Sequence, residues 1–85
     1  MHMNELFEHI DLIHTTKLGE NRIRKNLDLE HQNVVSYCKK IVMKPNTCII
    51  KRGKNYYCTL GNIQITIHSS SYTIITAHKK TPRCR

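Results

Sequence analysis

The sequence has no tryptophan, one phenylalanine, three glycines and two prolines among its 85 residues. No apolar run approaches the roughly 18 residues that a membrane-spanning helix requires, which excludes a helical membrane span. There is no Gly-x-Gly-x-x-Gly motif and no P-loop, so no nucleotide cofactor is indicated, and we expect no cofactor of any kind. A chain of this length has room for one hydrophobic core, which predicts a single domain.

A secretory signal is also missing, since no charged segment leads into an apolar stretch. We therefore expect a cytoplasmic protein. We interpret Met1 and His2 as residues left by an expression vector, ahead of the natural start at Met3. The predicted domain covers residues 3–80, and residues 81–85 are expected to form a basic tail.

The four cysteines contain no Cys-x-x-Cys pair, which argues against a zinc knuckle or a thioredoxin-like site. We interpret them as reduced, mostly buried thiols, and we predict no metal site.

Acidic residues are confined to the first 30 residues, and none occurs from His31 to Arg85. That second stretch carries ten lysines and arginines, and the formal net charge of the chain is +8. Such asymmetry is typical of proteins that bind a polyanion, so we expect nucleic acid as the partner, with RNA favoured, or another polyanion. A membrane surface is disfavoured because no basic amphipathic helix with aromatic anchors is present.

Apolar residues at spacings of three and four predict helices in the first half of the chain. The first is expected over residues 4–13, with Asn4 as its N-cap, and the second over residues 19–27, with Ile23 and Leu27 facing inward. Asp28 is expected to cap a third helix, which ends before Pro45.

The period then changes to two, which predicts strands over residues 47–52, 55–60, 63–68 and 72–78. No crossover helix separates them, so the fold class is α+β, with N-terminal helices packed on one face of a four-stranded antiparallel β-meander. The registers assume a two-residue turn at Gly61-Asn62, a three-residue loop at 52–54 and a three-residue turn at 69–71.

These registers assign the strand residues to two faces. The face expected under the helices holds Cys48, Ile50, Tyr56, Cys58, Leu60, Ile63, Ile65, Ile67, Ile75 and Ala77. The expected open face holds Thr47, Ile49, Lys51, Asn55, Tyr57, Thr59, Gln64, Thr66, His68, Tyr72, Ile74, Thr76 and His78. A polar open face with aromatics, histidines and a lysine suits a phosphate chain with splayed bases, although an inert solvated face is the alternative.

Three segments carry a resemblance to known proteins: His14-Thr-Thr-Lys-Leu-Gly-Glu-Asn-Arg-Ile-Arg-Lys-Asn-Leu27, Arg52-Gly-Lys-Asn-Tyr-Tyr57 and Ser71-Tyr-Thr-Ile-Ile-Thr-Ala-His-Lys79. Together they resemble a small bacterial family catalogued only as a domain of unknown function, over nearly the whole chain. The order of helices and strands is also similar, more loosely, to the barnase–EndoU–colicin–RelE group of metal-independent ribonucleases, which are often toxins. Members of that group place their catalytic groups differently, so none is carried over.

Cleavage of RNA without a metal needs a base, an acid and cations for the developing phosphorane charge. Histidine serves either proton role near neutral pH, and the candidate catalytic residues are His78, His68 and His14. The candidate phosphate- and nucleic-acid-binding residues are Lys51, Arg22, Lys17, Tyr57, Tyr72, Thr76 and Lys79.

Three functions are therefore compatible with the sequence. The first is a metal-independent endoribonuclease of toxin type that acts through the open face. The second is a non-catalytic module that binds RNA or DNA on the same face. The third is a small inhibitor or accessory protein that binds an acidic protein partner. Pairing of two copies through an edge strand is left open.

Overall fold

The computed structural model describes residues 5–29 and 32–79. The helical part comprises α1 (Glu5–Glu8), a 3-10 helix (Ile10–Leu12), α2 (Lys17–Asn26) and α3 (Val34–Met43). The sheet comprises β1 (Cys48–Arg52), β2 (Asn55–Leu60), β3 (Ile63–His68) and β4 (Ile74–Lys79). The expected vector residues, the Asn4 cap and the basic tail lie outside the described residues.

The first predicted helix is divided in two. α1 ends at Glu8, His9 leaves the helical conformation with a ψ of 27°, and the 3-10 helix follows. Leu6 and Ile13 are buried on either side of this break. The apolar spacing was therefore read correctly, but the continuous helix over 4–13 was not.

α2 begins at Lys17, because the Thr16 side chain accepts a hydrogen bond from the Gly19 N–H at 3.0 Å and caps the first turn. Its apolar stripe is as predicted, since Ile23 and Leu27 are both buried. Arg24 stays on the outside of α2 and contacts Glu20 at 3.1 Å, one helical turn earlier.

Asp28 terminates α2 and does not cap α3, which corrects the prediction. Its φ is +60°, the Asp28 N–H donates to the Lys25 carbonyl, and the Leu29 N–H donates to the Arg24 carbonyl. This pair of bonds is the Schellman arrangement at a helix C-terminus. α3 is capped instead by Asn33, whose Oδ1 accepts from the Ser36 N–H at 2.9 Å.

The four strands form one antiparallel sheet in the order β1-β2-β3-β4, which confirms the predicted meander and the α+β class. The predicted pairing of β2 with β3 is also confirmed, with Leu60 opposite Ile63 and Tyr56 opposite Ile67. Gly61 adopts a φ of +60° in the two-residue turn between them, as the sequence indicated.

The predicted register of β1 is wrong by one residue. Arg52 pairs with Asn55, so the β1–β2 connection is the two-residue turn Gly53-Lys54 and not a three-residue loop. Gly53 adopts a φ of +61°, a conformation that suits the first central position of a tight hairpin. Because one residue of register reverses both faces of a strand, Ile49 and Lys51 lie on the helix side, and Cys48, Ile50 and Arg52 lie on the open side.

A bulge corrects the other predicted face assignment, in β4. Thr66 pairs with Thr76, whereas the next residue, Ile67, pairs with Ile74, so Ile75 is the extra residue. Ile74 is therefore buried and Ile75 is exposed, the reverse of the prediction.

The core lies between the helices and one face of the sheet. α2 packs on β4 and on α3. Across the described residues, no helix has both the length and the apolar character needed to cross a bilayer.

Candidate nucleic-acid interface

The side of the sheet away from the helices is called the open face. Its strand residues are Cys48, Ile50, Arg52, Asn55, Tyr57, Thr59, Gln64, Thr66, His68, Thr76 and His78. Compared with the prediction, this set gains Cys48, Ile50 and Arg52, and it loses Thr47, Ile49, Lys51, Tyr72 and Ile74.

The register arranges these side chains in three rows that run across the strands. The first row is Cys48, Thr59, Gln64 and His78. The second row is Ile50, Tyr57, Thr66 and Thr76. The third row is Arg52, Asn55 and His68. Successive rows are about 7 Å apart, a distance comparable to the spacing between nucleotides in an extended strand.

A shallow depression of about 340 Å³ lies on the open face, lined by Ile50, Arg52, Tyr57, Thr59 and Gln64. It combines a guanidinium, an aromatic ring, a hydroxyl and an amide in one place. These groups can contact a phosphate, stack on a base and hydrogen-bond to a base edge, respectively.

Arg52 is the residue that the sequence reasoning missed at this depression. The loop at 52–54 was read as three residues, which placed Lys51 on the open face and Arg52 in the turn. A Gly-x pair flanked by strand residues is itself a signal for a two-residue turn, and that reading would have found Arg52.

Tyr57 is held at the centre of the open face. Its hydroxyl oxygen accepts a hydrogen bond from Asn55 Nδ2 at 3.3 Å, and its side chain is partly exposed. Thr66, opposite Tyr57 on β3, is only 7% exposed. The middle of the face is therefore a packed surface that includes the partly exposed Tyr57.

No carboxylate side chain belongs to this face, because the sequence has no Asp or Glu from His31 onward. The guanidinium of Arg52 therefore acts without a competing carboxylate on this face. An anion approaching the open face therefore meets attraction from Arg52 with no repulsive partner beside it.

All four predicted phosphate-binding cations lie on the helix side and not on the open face. Lys51 Nζ lies 5.9 Å from the ring centroid of Tyr56, which faces the core. Lys17 and Arg22 are exposed on α2, and Lys79 pairs with Ile63 at the end of β4. The structure therefore separates these four cations from Tyr57 and Thr76, which lie on the open face as predicted.

Two of the three candidate histidines share the open face but are far apart. His78 pairs with Gln64 in the first row, and His68 pairs with Asn55 in the third row. Four residues of β3 separate the two rows, a distance of about 13 Å along the strand. One phosphate is too small to contact both rings in this arrangement.

His14 lies instead at the connection between β3 and β4. Its Nδ1 donates to the Leu12 carbonyl at 2.8 Å, and its Nε2 lies 3.1 Å from Thr73 Oγ1. Thr73 Oγ1 is also 2.8 Å from Ser71 Oγ. Since a carbonyl can only accept, Nδ1 carries a proton and the neutral ring presents a lone pair on Nε2.

His68 belongs to the same connection. Its Nδ1 faces the backbone N–H groups of Ser70 and Ser71 at 3.2 and 3.4 Å, so it accepts from them in the neutral form. Tyr72 completes the connection with a φ of +58°, an unusual conformation for a bulky residue. Its ring stacks on His9 at 5.0 Å and packs against the core, which places Tyr72 away from the open face.

A larger groove of about 480 Å³ lies between the 3-10 helix and α3. Its lining residues are Ile10, Asp11, Lys39, Lys40, Met43, Lys44 and Pro45. Three lysines make it basic, but Asp11 places a carboxylate within it. This groove therefore suits a continuous phosphate chain less well than the open face does.

The three thiols of the described residues show no sign of a reactive centre. Burial raises the pKa of both Cys38 and Cys58 to about 12, which keeps them neutral, whereas Cys48 is exposed and pairs with Thr59, not with Cys58 as predicted. Within residues 5–29 and 32–79, no three His, Cys, Asp or Glu side chains converge in a way that could hold a metal ion.

Comparison with known proteins identifies one family. The model of a family described as "Protein of unknown function (DUF3781)" matches residues 7–78, which include all four strands except Lys79. No curated protein and no solved structure matches the chain.

Proposed function

This chain belongs to the DUF3781 family, and from its geometry we propose that the open face binds single-stranded RNA. The observation that carries the proposal is the depression formed by Arg52, Tyr57 and Gln64 on a sheet face without carboxylates. Open antiparallel sheets with exposed aromatics are suited to unpaired bases, because the rings stack on bases while side chains above and below reach the phosphates.

The three rows give each group a role. Arg52 contacts a phosphate in the third row, and the ring of Tyr57 stacks on a base in the second row. Gln64 and His78, which are paired in the first row, hydrogen-bond to the edge of the next base or to a 2′-hydroxyl. Stacking on one aromatic side chain contributes about 1–3 kcal/mol per base, and it tolerates any base. We therefore expect the affinity to come mainly from charge and stacking, and the preference for a particular base sequence to be weak.

Double-stranded nucleic acid fits this face less well. The depression is shallow, and the bases of a duplex are stacked on one another and not available to Tyr57. Single-stranded DNA presents the same phosphates and bases, so the preference for RNA rests on the 2′-hydroxyl and the polar groups of the first row.

Metal-independent cleavage of RNA is a second candidate function, and the observation that favours it is the orientation of His14. The Leu12 carbonyl holds the ring so that Nε2 is the basic atom, 3.1 Å from the Thr73 hydroxyl. A base oriented by a fixed acceptor is the arrangement that proton abstraction requires. The 13 Å between His68 and His78 makes that pair a weaker choice for concerted acid–base chemistry.

The test compares two neighbouring cations on opposite faces of one strand. Arg52→Gln and Lys51→Gln each remove one positive charge, so both weaken any long-range attraction equally. We expect Arg52→Gln to reduce the affinity for a fluorescein-labelled single-stranded RNA of mixed sequence by about tenfold, which corresponds to about 1.4 kcal/mol. Lys51→Gln is expected to change it by about twofold or less, since Lys51 contributes only through long-range charge.

Fluorescence anisotropy measures both affinities, and the same RNA, end-labelled and incubated with a chelator, reports cleavage. Equal losses in the two variants would show that the open face does not contact RNA. Chelator-resistant cleavage that disappears in His14→Ala, with binding retained, would establish the ribonuclease reading. RNA that is bound but remains intact in every sample would exclude the ribonuclease and support the non-catalytic binding module. RNA that is neither bound nor cleaved would contradict both functions and favour an acidic protein partner.

A further inference from the structure

The two edges of the sheet are treated differently by the rest of the chain. At the β4 edge, the Ile74 N–H donates to the His14 carbonyl at 2.8 Å, and Thr15 Oγ1 donates to the Ile74 carbonyl at 3.3 Å. Further along the same edge, Asn26 Nδ2 donates to the Ala77 carbonyl at 3.3 Å. The segment before α2 and the end of α2 therefore close this edge against another strand.

No segment of the described residues pairs with the outer edge of β1. Arg52 and Asn55 flank a two-residue turn and form a hydrogen-bonded pair, so the N–H and C=O groups of Ile49 and Lys51 point away from β2. Among residues 5–29 and 32–79, no backbone or side-chain group bonds to these outward groups. Four of the five residues of β1 are exposed, and Ile50 at its centre is 53% exposed.

We propose that β1 pairs antiparallel with β1 of a second copy of this chain, in a twofold register centred on Ile50. In this register, Ile49 lies opposite Lys51 of the partner subunit, and the two residues exchange their outward N–H and C=O groups. The twofold axis repeats the pair, which gives four hydrogen bonds. Ile50 then faces its symmetry mate in a non-hydrogen-bonded pair, where side chains are closest.

Charge and pattern favour this register over its neighbours. A register shifted by one residue pair toward the turn would place Lys51 opposite its symmetry mate, and like charges directly opposite are destabilising. The Ile50-centred register has no such pair, because Lys51 lies opposite Ile49 and Arg52 lies opposite Cys48. It also uses the full length of the five-residue strand.

The pairing gives each depression a second guanidinium. Arg52 of the partner subunit falls opposite Cys48, in the first row with Thr59 and Gln64. Thr59 lies two strand spacings, about 10 Å, from the backbone of this arginine, a gap that the extended arginine side chain spans for most of its width. On the eight-stranded open face, each of the two Arg52 side chains then lies at one end of its own depression and faces the opposite end of the partner's depression. This consequence rests on the proposed function, whereas the pairing itself does not.

The first experiment measures association with a matched pair of variants. Ile50 and Ile75 are 53% and 48% exposed and lie on β1 and β4, the open and the closed edge. In sedimentation equilibrium of the full chain, we expect a concentration-dependent dimer. We expect Ile50→Lys to raise its dissociation constant by about tenfold or more, because two lysines then meet on the twofold axis. Ile75→Lys is expected to change it by about twofold or less.

The second experiment tests the register itself. A non-hydrogen-bonded antiparallel pair has Cα atoms about 4.5 Å apart, within the range that a disulfide bridges. In a background where Cys48 and Cys84 are serine, Ile50→Cys is expected to cross-link to its symmetry mate under mild oxidation, and Ile75→Cys is not. A wild-type chain that is monomeric at about 200 µM, or equal cross-linking at both positions, would overturn the proposal.

The two proposals fail in different ways. Each copy carries a net charge of +8, so salt screens the repulsion between copies and is expected to strengthen the dimer. Salt weakens the binding of RNA, because releasing the condensed counterions into a more concentrated salt solution is less favourable. Loss of the Arg52 effect on RNA with intact cross-linking at Ile50→Cys would remove the proposed function and leave the pairing. The reverse result would remove the pairing alone.

Discussion

Among single residues, two buried cysteines have pKa values well above the ordinary value for a thiol. Burial raises the pKa of Cys38 to about 12, and burial followed by the nearby Cys38 raises that of Cys58 to the same value. Both side chains are fully buried in the core, where an ionised thiolate would lose its hydration. Neither thiol is therefore suited to act as a nucleophile near neutral pH.

These raised pKa values predict that the folded protein loses stability at alkaline pH. An unfolded thiol ionises near 9 and these folded thiols near 12, so their contribution is fully present below pH 9 and falls as the pH rises toward 12. Each thiol lowers the free energy of unfolding by up to about 1.4 kcal/mol per pH unit in that window. Urea unfolding at several pH values between about 8 and 10.5 is expected to show a shallower decline for Cys58→Ala than for the wild type.

The wild type and Cys58→Ala share all other titrating groups, so the contributions of those groups to the pH dependence cancel in the comparison. Parallel declines would show that Cys58 is not protected from ionisation in the folded state. Cys48 supplies an internal control for accessibility, because it is exposed and is expected to react with an alkylating reagent in the native protein.

Among the helices and strands, the turns and bulges determined which residues reach each face of the sheet, and the hydrophobic periodicity did not predict them. Apolar spacing correctly predicted which side of α2 and α3 is buried, because that pattern depends only on helical geometry. The register of β1 depends on whether a loop has two residues or three, and the face of Ile75 depends on a bulge. Neither leaves a periodic trace in the sequence, so both were predicted wrongly.

The end of α2 carries a testable strain. Asp28 adopts a φ of +60° and places a negative charge at a helix C-terminus, where both features are unfavourable. We expect Asp28→Gly to raise the free energy of unfolding by about 0.5–1 kcal/mol, since glycine adopts this conformation freely. Thermal or urea unfolding measures the gain.

The control is Asp28→Asn, which removes the charge but leaves a side chain at the same φ. Its gain is expected to be smaller, about 0.3–0.5 kcal/mol. If the two variants were equally stabilised, the charge alone would account for the effect and the backbone of Asp28 would carry no strain.

At the scale of the whole molecule, the chain separates its charges by layer. All six acids precede residue 31 in the sequence, whereas all four strands, from Cys48 to Lys79, lie in the acid-free part. Because the acid-free part of the sequence forms the sheet, the uneven charge along the chain becomes a difference between two surfaces of the fold. The open face is free of carboxylates, and the helical layer carries both signs.

This separation predicts a salt dependence for RNA binding. Arg52 is the one lysine or arginine among the strand residues of the open face, so contact with one phosphate gives a slope of log affinity against log salt of about −0.7, and affinity falls about threefold between 50 and 200 mM salt. Arg52→Gln is expected to make the slope shallower by about 0.7, the value for one phosphate of a single strand. Anisotropy titrations at four or more salt concentrations measure both slopes. An unchanged slope in Arg52→Gln would place the phosphate contacts elsewhere on the molecule.

Periodicity and composition were enough to predict the α+β class, the order of the strands and the lack of acidic residues in the sheet. The sequence also identified His14 and Tyr57 as residues of interest. Tertiary pairing was needed to show that Arg52 and not Lys51 joins Tyr57, that His14 and His68 both lie at the β3–β4 connection, and that the outward backbone groups of β1 have no partner among the described residues. Those outcomes depend on one residue of register and on which segments reach each edge, and pairing across strands sets both.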